Sequence, residues 1–327
     1  MATENALELA RLGHFTDPEH APYKVPHQMR IARLRRYGGD QHQPTVSAPL
    51  LFIPPLMVTA DIYDVSPDIS GVTKLTELGL DVWVIDFGSP EHEEGGMKRT
   101  LDDHIKAVSD SVDWVREATG KDVHLIGYSQ GGMFAYQTAA YRGSEGIASL
   151  VTFGSPVDIH RNIPMIRDSI AGKVFELAQG ALDTPIDKLE GLPGFLTSTG
   201  FKLLAVHKEV GQLMDFVRKL HDRQALEKRE ARRRFLGGEG FVAWPGPALK
   251  KFIDEFVVHN RMLSGGFVVD GRTVTLADIT CPVLFFVGER DTIANESAIR
   301  AIRGACLLYT SPSPRDCNEY LGCRLLL

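Results

Sequence analysis

Residues Val123-His124-Leu125-Ile126-Gly127-Tyr128-Ser129-Gln130-Gly131-Gly132 run an apolar strand straight into G-x-S-x-G, and residues 133–141 continue with helical character. A chain that must pass from strand to helix around a serine within three residues has few architectures open to it. Gly127 and Gly131, with Gly132 beside them, are expected to permit a tight, strained turn that lifts Ser129 Oγ clear of the backbone. The same turn aims the Gln130 backbone N–H at negative charge developing on an attacked carbonyl oxygen. The pattern reads as a nucleophile elbow.

Four more short apolar runs, 50–53, 82–85, 150–153 and 283–287, are bounded by turn residues and read as buried parallel strands. Helical periodicity lies between them, most clearly over 101–119, where Ile105, Val108, Val112 and Val115 share one face. This alternation predicts a doubly wound, mostly parallel α/β sheet with its ligands beyond the carboxyl ends of the strands. The core is expected over 49–157 and 277–305, after an N-terminal helical extension over 1–48. Residues 158–276 break the rhythm with helix-rich sequence over 201–220 and 248–262, and with a hairpin signal at Asp270-Gly271. This insertion is expected to cap the site.

With 327 residues, 43% hydrophobic content and a formal charge of −6, the chain can bury a large core and has no basic excess for nucleic acid. Residues 1–36 lack the apolar core of a secretory signal, and no run of 18 apolar residues occurs, so a cytoplasmic protein is expected. The charge-rich stretch 219–234, with Arg232-Arg233-Arg234, leaves peripheral contact with a lipid surface open, although a solvated helix face is the simpler reading. No pattern calls for a cofactor or a metal.

A serine hydroxyl is a weak nucleophile at neutral pH and needs an imidazole base, which in turn needs a carboxylate to fix its tautomer and stabilise its charge. Asp291, just past the 283–287 strand, is the expected acid, with Asp158 in reserve; a helix cap ahead of residues 297–303 is the plainer role for Asp291. None of the eleven histidines follows Asp291, the last being His259. The second oxyanion donor is expected in the loop after residues 50–53. Pro54 and Pro55 carry no N–H, so Leu56 or Met57 must supply it.

Pro49-Leu50-Leu51-Phe52-Ile53-Pro54-Pro55, Ile62-Tyr63-Asp64 and Val84-Ile85-Asp86-Phe87-Gly88-Ser89-Pro90, with the glycine pair after Ser129, resemble the polyhydroxyalkanoate synthase branch of the α/β-hydrolases. The resemblance spans about residues 49–303. It implies a Ser-acid-His order. It also marks a departure, because those synthases carry cysteine where this chain has Ser129. Residues 127–133, 147–158, 259–262 and 278–284 look closer still to the lipase-like domain that some bacterial proteins fuse to a long-chain acyl-CoA synthetase. That likeness implies hydrolysis of long-chain acyl esters, with acyl transfer or a non-catalytic lipid-binding relic as alternatives.

The last 22 residues stand apart: they hold Cys306, Cys317 and Cys323, where the preceding sequence has only Cys281. Residues 306–311 resemble one reading frame of a transposase-type sequencing adaptor, and 320–327 its distal primer, with Gly322 as a mismatch. An interruption near Ala305 is therefore expected, with the last strand, the histidine loop and a fused synthetase domain lost beyond it. A chain lacking its base would keep only a residual acceleration of roughly 10³ to 10⁴ over water.

Overall fold

In a computed structural model of the chain, the structure describes residues 2–12, 15–16, 19–38, 44–45, 48–161, 191–192, 194, 216, 218–289, 291 and 293–305. The strands are β1 (Tyr23–Gln28), β2 (Arg33–Tyr37), β3 (Leu50–Ile53), β4 (Val82–Asp86), β5 (Val123–Tyr128), β6 (Ile147–Phe153), the two-residue β7 (Gly191–Leu192) and β8 (Trp244–Pro245), the hairpin β9 (Phe267–Val269) and β10 (Arg272–Val274), and β11 (Val283–Phe286). Seven of them form one sheet in the order β1-β2-β4-β3-β5-β6-β11. Strands β4, β3, β5, β6 and β11 run parallel, and β1 and β2 join antiparallel at one edge.

The central apolar runs become strands because they bury both faces, whereas the 283–287 run, expected as a buried strand, forms the edge strand β11, where Leu284 is exposed and its neighbours are only half-buried. Side chains alternate across a strand, so Leu51 and Ile53 of β3, Trp83 and Ile85 of β4, and Val123 and Leu125 of β5 enter one core layer. Phe52, Val82, Val84 and Ile126 enter the other. Helix α3 (Leu101–Thr119), which follows the short α2 (Gly71–Glu77), covers the first face, with Ile105, Val108, Val112 and Val115 all fully buried. A reciprocal Thr100–Asp103 capping box starts this helix, and Gly120 in the left-handed region ends it.

The N-terminal segment differs from the helical extension expected over residues 1–48. Helix α1 (Ala2–Leu12) is there, but residues 23–28 and 33–37 form β1 and β2. The sequence RLRRY concealed β2 because its charges are neutralised only in the tertiary structure. Asp86 accepts from Arg33 Nε at 2.7 Å and from Arg35 Nε and Nη2 at 2.9 and 2.6 Å, while Asp61 takes Arg35 Nη1 at 2.6 Å. Arg36 reaches Asp81 at 2.8 Å and lies over the Trp83 ring.

Burial of Asp86 would raise its pKa, but the Arg35 charge, the Gly88 N–H and Arg33 outweigh it and hold the carboxyl below the usual carboxylate range. A depressed folded-state pKa gives stability that is present above the unfolded value near 4 and lost as pH falls through the folded value. Asp86→Ala strands the buried Arg35 and is expected to cost about 3–5 kcal/mol at pH 7. Urea unfolding should show that gap narrowing once the pH drops below about 4. An unchanged midpoint at neutral pH would refute the assignment.

Within the insertion, the hairpin turns at Asp270 and Gly271, both left-handed at φ 51° and 76°, as a two-residue turn of primed type requires. The 248–262 segment forms a helix Gly246–Phe252 that continues into a π-helical turn, Ile253–Val258. Most of the expected helix over 201–220 lies outside the described residues, as does the whole of 306–327. Helix Arg223–Arg234 directs much of its charge at protein. Arg223 meets Glu227 at 2.6 Å and also Glu8 of α1, Arg233 meets Glu230 at 2.7 Å, and Arg234 Nη1 donates to Thr16 O at 2.6 Å. Among the described residues, no helix is long and apolar enough to cross a membrane.

Candidate active site

Strand β5 ends at Tyr128 and helix α4 (Gln130–Arg142) begins at the second residue after it, so the whole reversal falls on Ser129. Its backbone sits at φ 52°, ψ −120°, a conformation costing a non-glycine residue about 1–3 kcal/mol. Three hydrogen bonds hold it there: Ser129 N donates to Phe153 O of β6 at 2.8 Å, while Gly132 N and Met133 N donate to Ser129 O at 3.1 and 3.3 Å. The strain expected of the elbow rests on the serine itself.

The flanking glycines serve a different purpose from the one the motif suggested. None of Gly127, Gly131 and Gly132 is left-handed. A methyl group on Gly131 would overlap the Ile53 carbonyl oxygen of β3, one on Gly127 would overlap the Gly132 backbone, and one on Gly132 would overlap Ser155 Oγ. They let α4 start in contact with the ends of β3 and β6, which brings the two halves of the site together.

Gln130 opens α4, so its N–H is among the helix-start amides without an acceptor in the preceding turn, where the helix dipole also favours negative charge. Facing it is a turn over residues 55–58, closed by Val58 N donating to Pro55 O at 3.2 Å, with Leu56 and Met57 as its central residues. Here the structure corrects one expectation. Leu56 is 1% exposed and its N–H donates to Gln130 Oε1 at 3.0 Å, so it is engaged. Met57 is only partly buried, and among the described residues its N–H has no partner. Of the two candidates, the Leu56 amide is engaged and the Met57 amide is not.

Asp291 follows β11 and is held by its own turn: its N–H donates to Gly288 O at 3.0 Å, and Oδ1 accepts from Ile293 N and Ala294 N at 2.8 and 2.9 Å. Oδ2 lies alongside Gly154, just beyond β6, where an added methyl would come within 3.3 Å of it. The plainer role as helix cap belongs instead to Asn295, whose Oδ1 accepts from Ala298 N at the start of helix Glu296–Arg300. Strands β5, β6 and β11 are consecutive in the sheet, so Ser129 and Asp291 follow strand ends about two strand spacings, roughly 10 Å, apart. Burial, and then the Asp291 charge, push the Tyr128 phenol up to about 12. The reserve acid Asp158 is otherwise occupied, accepting from Asn260 Nδ2 at 2.9 Å and pairing with Arg161 at 2.8 Å.

Among the described residues no histidine hydrogen bonds to Ser129 or Asp291. His104 is fully buried beside Phe87 and Phe134, shares a hydrogen bond with Thr100 O, and is pushed down by burial to about 4. His124 pairs with Ser149 Oγ, His160 with Val257 O, and His259 lies 3.5 Å from Asp254.

Tyr63, part of the Ile62-Tyr63-Asp64 stretch that carries the family resemblance, proves to tie the site together, a role the motif did not reveal. Its hydroxyl donates to Ile53 O at 2.6 Å and accepts from Tyr128 N at 3.2 Å, stitching the end of β3 to the end of β5. Burial raises its pKa, so the phenol stays protonated. The sequence marks the stretch but does not say what the hydroxyl will meet.

The family model described as the alpha/beta hydrolase fold matches residues 66–315. The poly(3-hydroxyalkanoate) polymerase subunit PhaC of Allochromatium vinosum is 30% identical, with 94% of this chain and 83% of that protein covered. The chain belongs to the α/β-hydrolase family, in its poly(3-hydroxyalkanoate) polymerase branch. The PhaC of Thiocystis violacea is 26% identical to this α/β-hydrolase over the same shares of the two chains. Among solved structures, VinJ aligns over 89% of the chain and 88% of its own length at 17% identity, with a TM-score of 0.43. The curated relatives favour the acyl-transfer alternative over the ester hydrolase that the lipase-like stretches implied.

Proposed function

We propose that this protein is an acyltransferase of the poly(3-hydroxyalkanoate) polymerase type, working through an acyl-Ser129 intermediate. The observation that carries the proposal is the strained Ser129 backbone, held at φ 52° at the β5–α4 junction; the Gln130 and Met57 amides would form the oxyanion hole and Asp291 would orient the base. Ser129 Oγ attacks the carbonyl of a hydroxyacyl thioester, and its proton passes to the base. The carbonyl oxygen gains charge facing the two amides. The carbon–sulfur bond then breaks and the thiolate leaves with the proton. The hydroxyl of a second hydroxyacyl unit next attacks the ester carbon, loses its proton to the base, and frees Ser129 as the new ester forms. The base would be the histidine expected after Asp291 in the Ser-acid-His order, oriented by Asp291 Oδ2. An acyl-CoA synthetase joined to the same polypeptide, as the second resemblance implies, would supply the thioester.

Hydrolysis is the second reading, favoured by Ser129 standing where the resemblance implies cysteine. Water then takes the place of the acceptor hydroxyl. Incubation with a 3-hydroxyacyl-CoA followed by mass spectrometry separates the two, since transfer gives ester-linked oligomers and hydrolysis gives free hydroxy acid. Release of CoA with acid alone would overturn the transfer reading. No CoA release at all would overturn both.

A further inference from the structure

Gln130 is 5% exposed, yet its side chain reaches across the site: Oε1 accepts the Leu56 N–H at 3.0 Å, and Nε2 is buried with no partner among the described residues. A buried, half-satisfied carboxamide beside a nucleophile calls for a reason, since leaving such a donor unpaired costs about 1–3 kcal/mol. The turn it grips is short. Of its two central amides, one is taken by Gln130 and the other is the Met57 N–H. On its far side, the turn is fastened to the insertion: Val242 N donates to Met57 O at 3.1 Å, Thr59 N donates to Gly240 O at 2.9 Å, and Val58 bridges Phe241. The turn therefore has two anchors, one on helix α4 and one on the insertion.

We propose that the Gln130 carboxamide is a positioning residue for the oxyanion hole. One residue supplies a donor through its own N–H and, through its side chain, fixes the opposite turn so that the Met57 N–H converges on the same point. Without this tie the turn is held by the insertion alone and follows the insertion's movements.

The inference rests on acyl chemistry at Ser129, and the test separates the two. Gln130→Met keeps the length and apolar volume of the side chain but removes the acceptor. It is expected to lower kcat by about 10²-fold with KM unchanged, the effect of displacing a transition-state donor by about 1 Å. Gln137→Met removes another fully buried, unpartnered carboxamide from the same helix, away from the turn, and should leave kcat within about twofold if only the site matters. A thermal melt of each variant reports the fold. Equal loss from both variants, or a folded Gln130→Met with wild-type kcat, overturns the proposal. Where turnover by this chain is too slow to resolve, affinity for an alkylboronic acid decides it, because the adduct with Ser129 Oγ places a tetrahedral oxygen in the hole. Gln130→Met should weaken it at least tenfold, and unchanged affinity overturns the proposal. If Ser129→Ala changes neither turnover nor boronate affinity, the acyl-serine reading itself has failed.

Discussion

Ser129→Ala is expected to abolish covalent acylation and, wherever the histidine base is in place, to remove on the order of 10⁶ in kcat, about 8 kcal/mol of barrier, the scale seen when a serine nucleophile is deleted from an intact triad. The expectation follows from the cost already built into the fold. A non-glycine residue is kept at φ 52° by hydrogen bonds from β6 and the first turn of α4, and alanine at that position would carry the same strain without the hydroxyl that gives it a purpose. Stability should therefore change little while the chemistry disappears. Intact-mass analysis after incubation with a 3-hydroxyacyl-CoA reads the result directly: an acyl adduct on the wild type and none on the variant. An equal adduct on both would place the nucleophile elsewhere.

Gly131→Ala is expected to be nearly as damaging, for a steric reason. The new methyl would collide with the Ile53 carbonyl oxygen, which belongs to the backbone of β3 and cannot rotate away. The start of α4 must then lift off the sheet, carrying the Gln130 N–H and the Leu56 tether with it. Misplacing the oxyanion donors by about 1 Å costs about 10²-fold in kcat, and overpacking costs a further 1–3 kcal/mol or so of stability. Gly237→Ala provides the contrast, since a methyl there meets nothing within 4 Å. Measured kcat and urea midpoints should separate the two glycines clearly. If Gly131→Ala matches Gly237→Ala in both, close contact between α4 and β3 is not what the glycine provides.

The elements legible in the sequence were those whose local pattern already carried the reason for the fold. The five apolar runs became the five parallel strands, 101–119 became α3, and Asp270-Gly271 turned the hairpin, because continuous apolar runs, helical periodicity and left-handed turns each leave a mark within a few residues. Strand β2 left no such mark. An arginine-rich strand becomes reasonable only when Asp61, Asp81 and Asp86, 26 to 53 positions away, arrive to neutralise it.

The site divides in the same way. The chain's own order of residues dictated that a serine would sit on a strand-to-helix reversal, and that its amide neighbours would come from Gln130 and from the loop after Pro55. Tertiary structure alone decided that Leu56 is consumed by the Gln130 carboxamide, that Tyr63 ties β3 to β5, and that Asn295 rather than Asp291 caps helix Glu296–Arg300. The physical reason is that an elbow is a local conformational problem, solved by adjacent residues. Which N–H remains free is a matter of hydrogen-bond partners, and those partners come from segments as much as 74 residues apart in the chain.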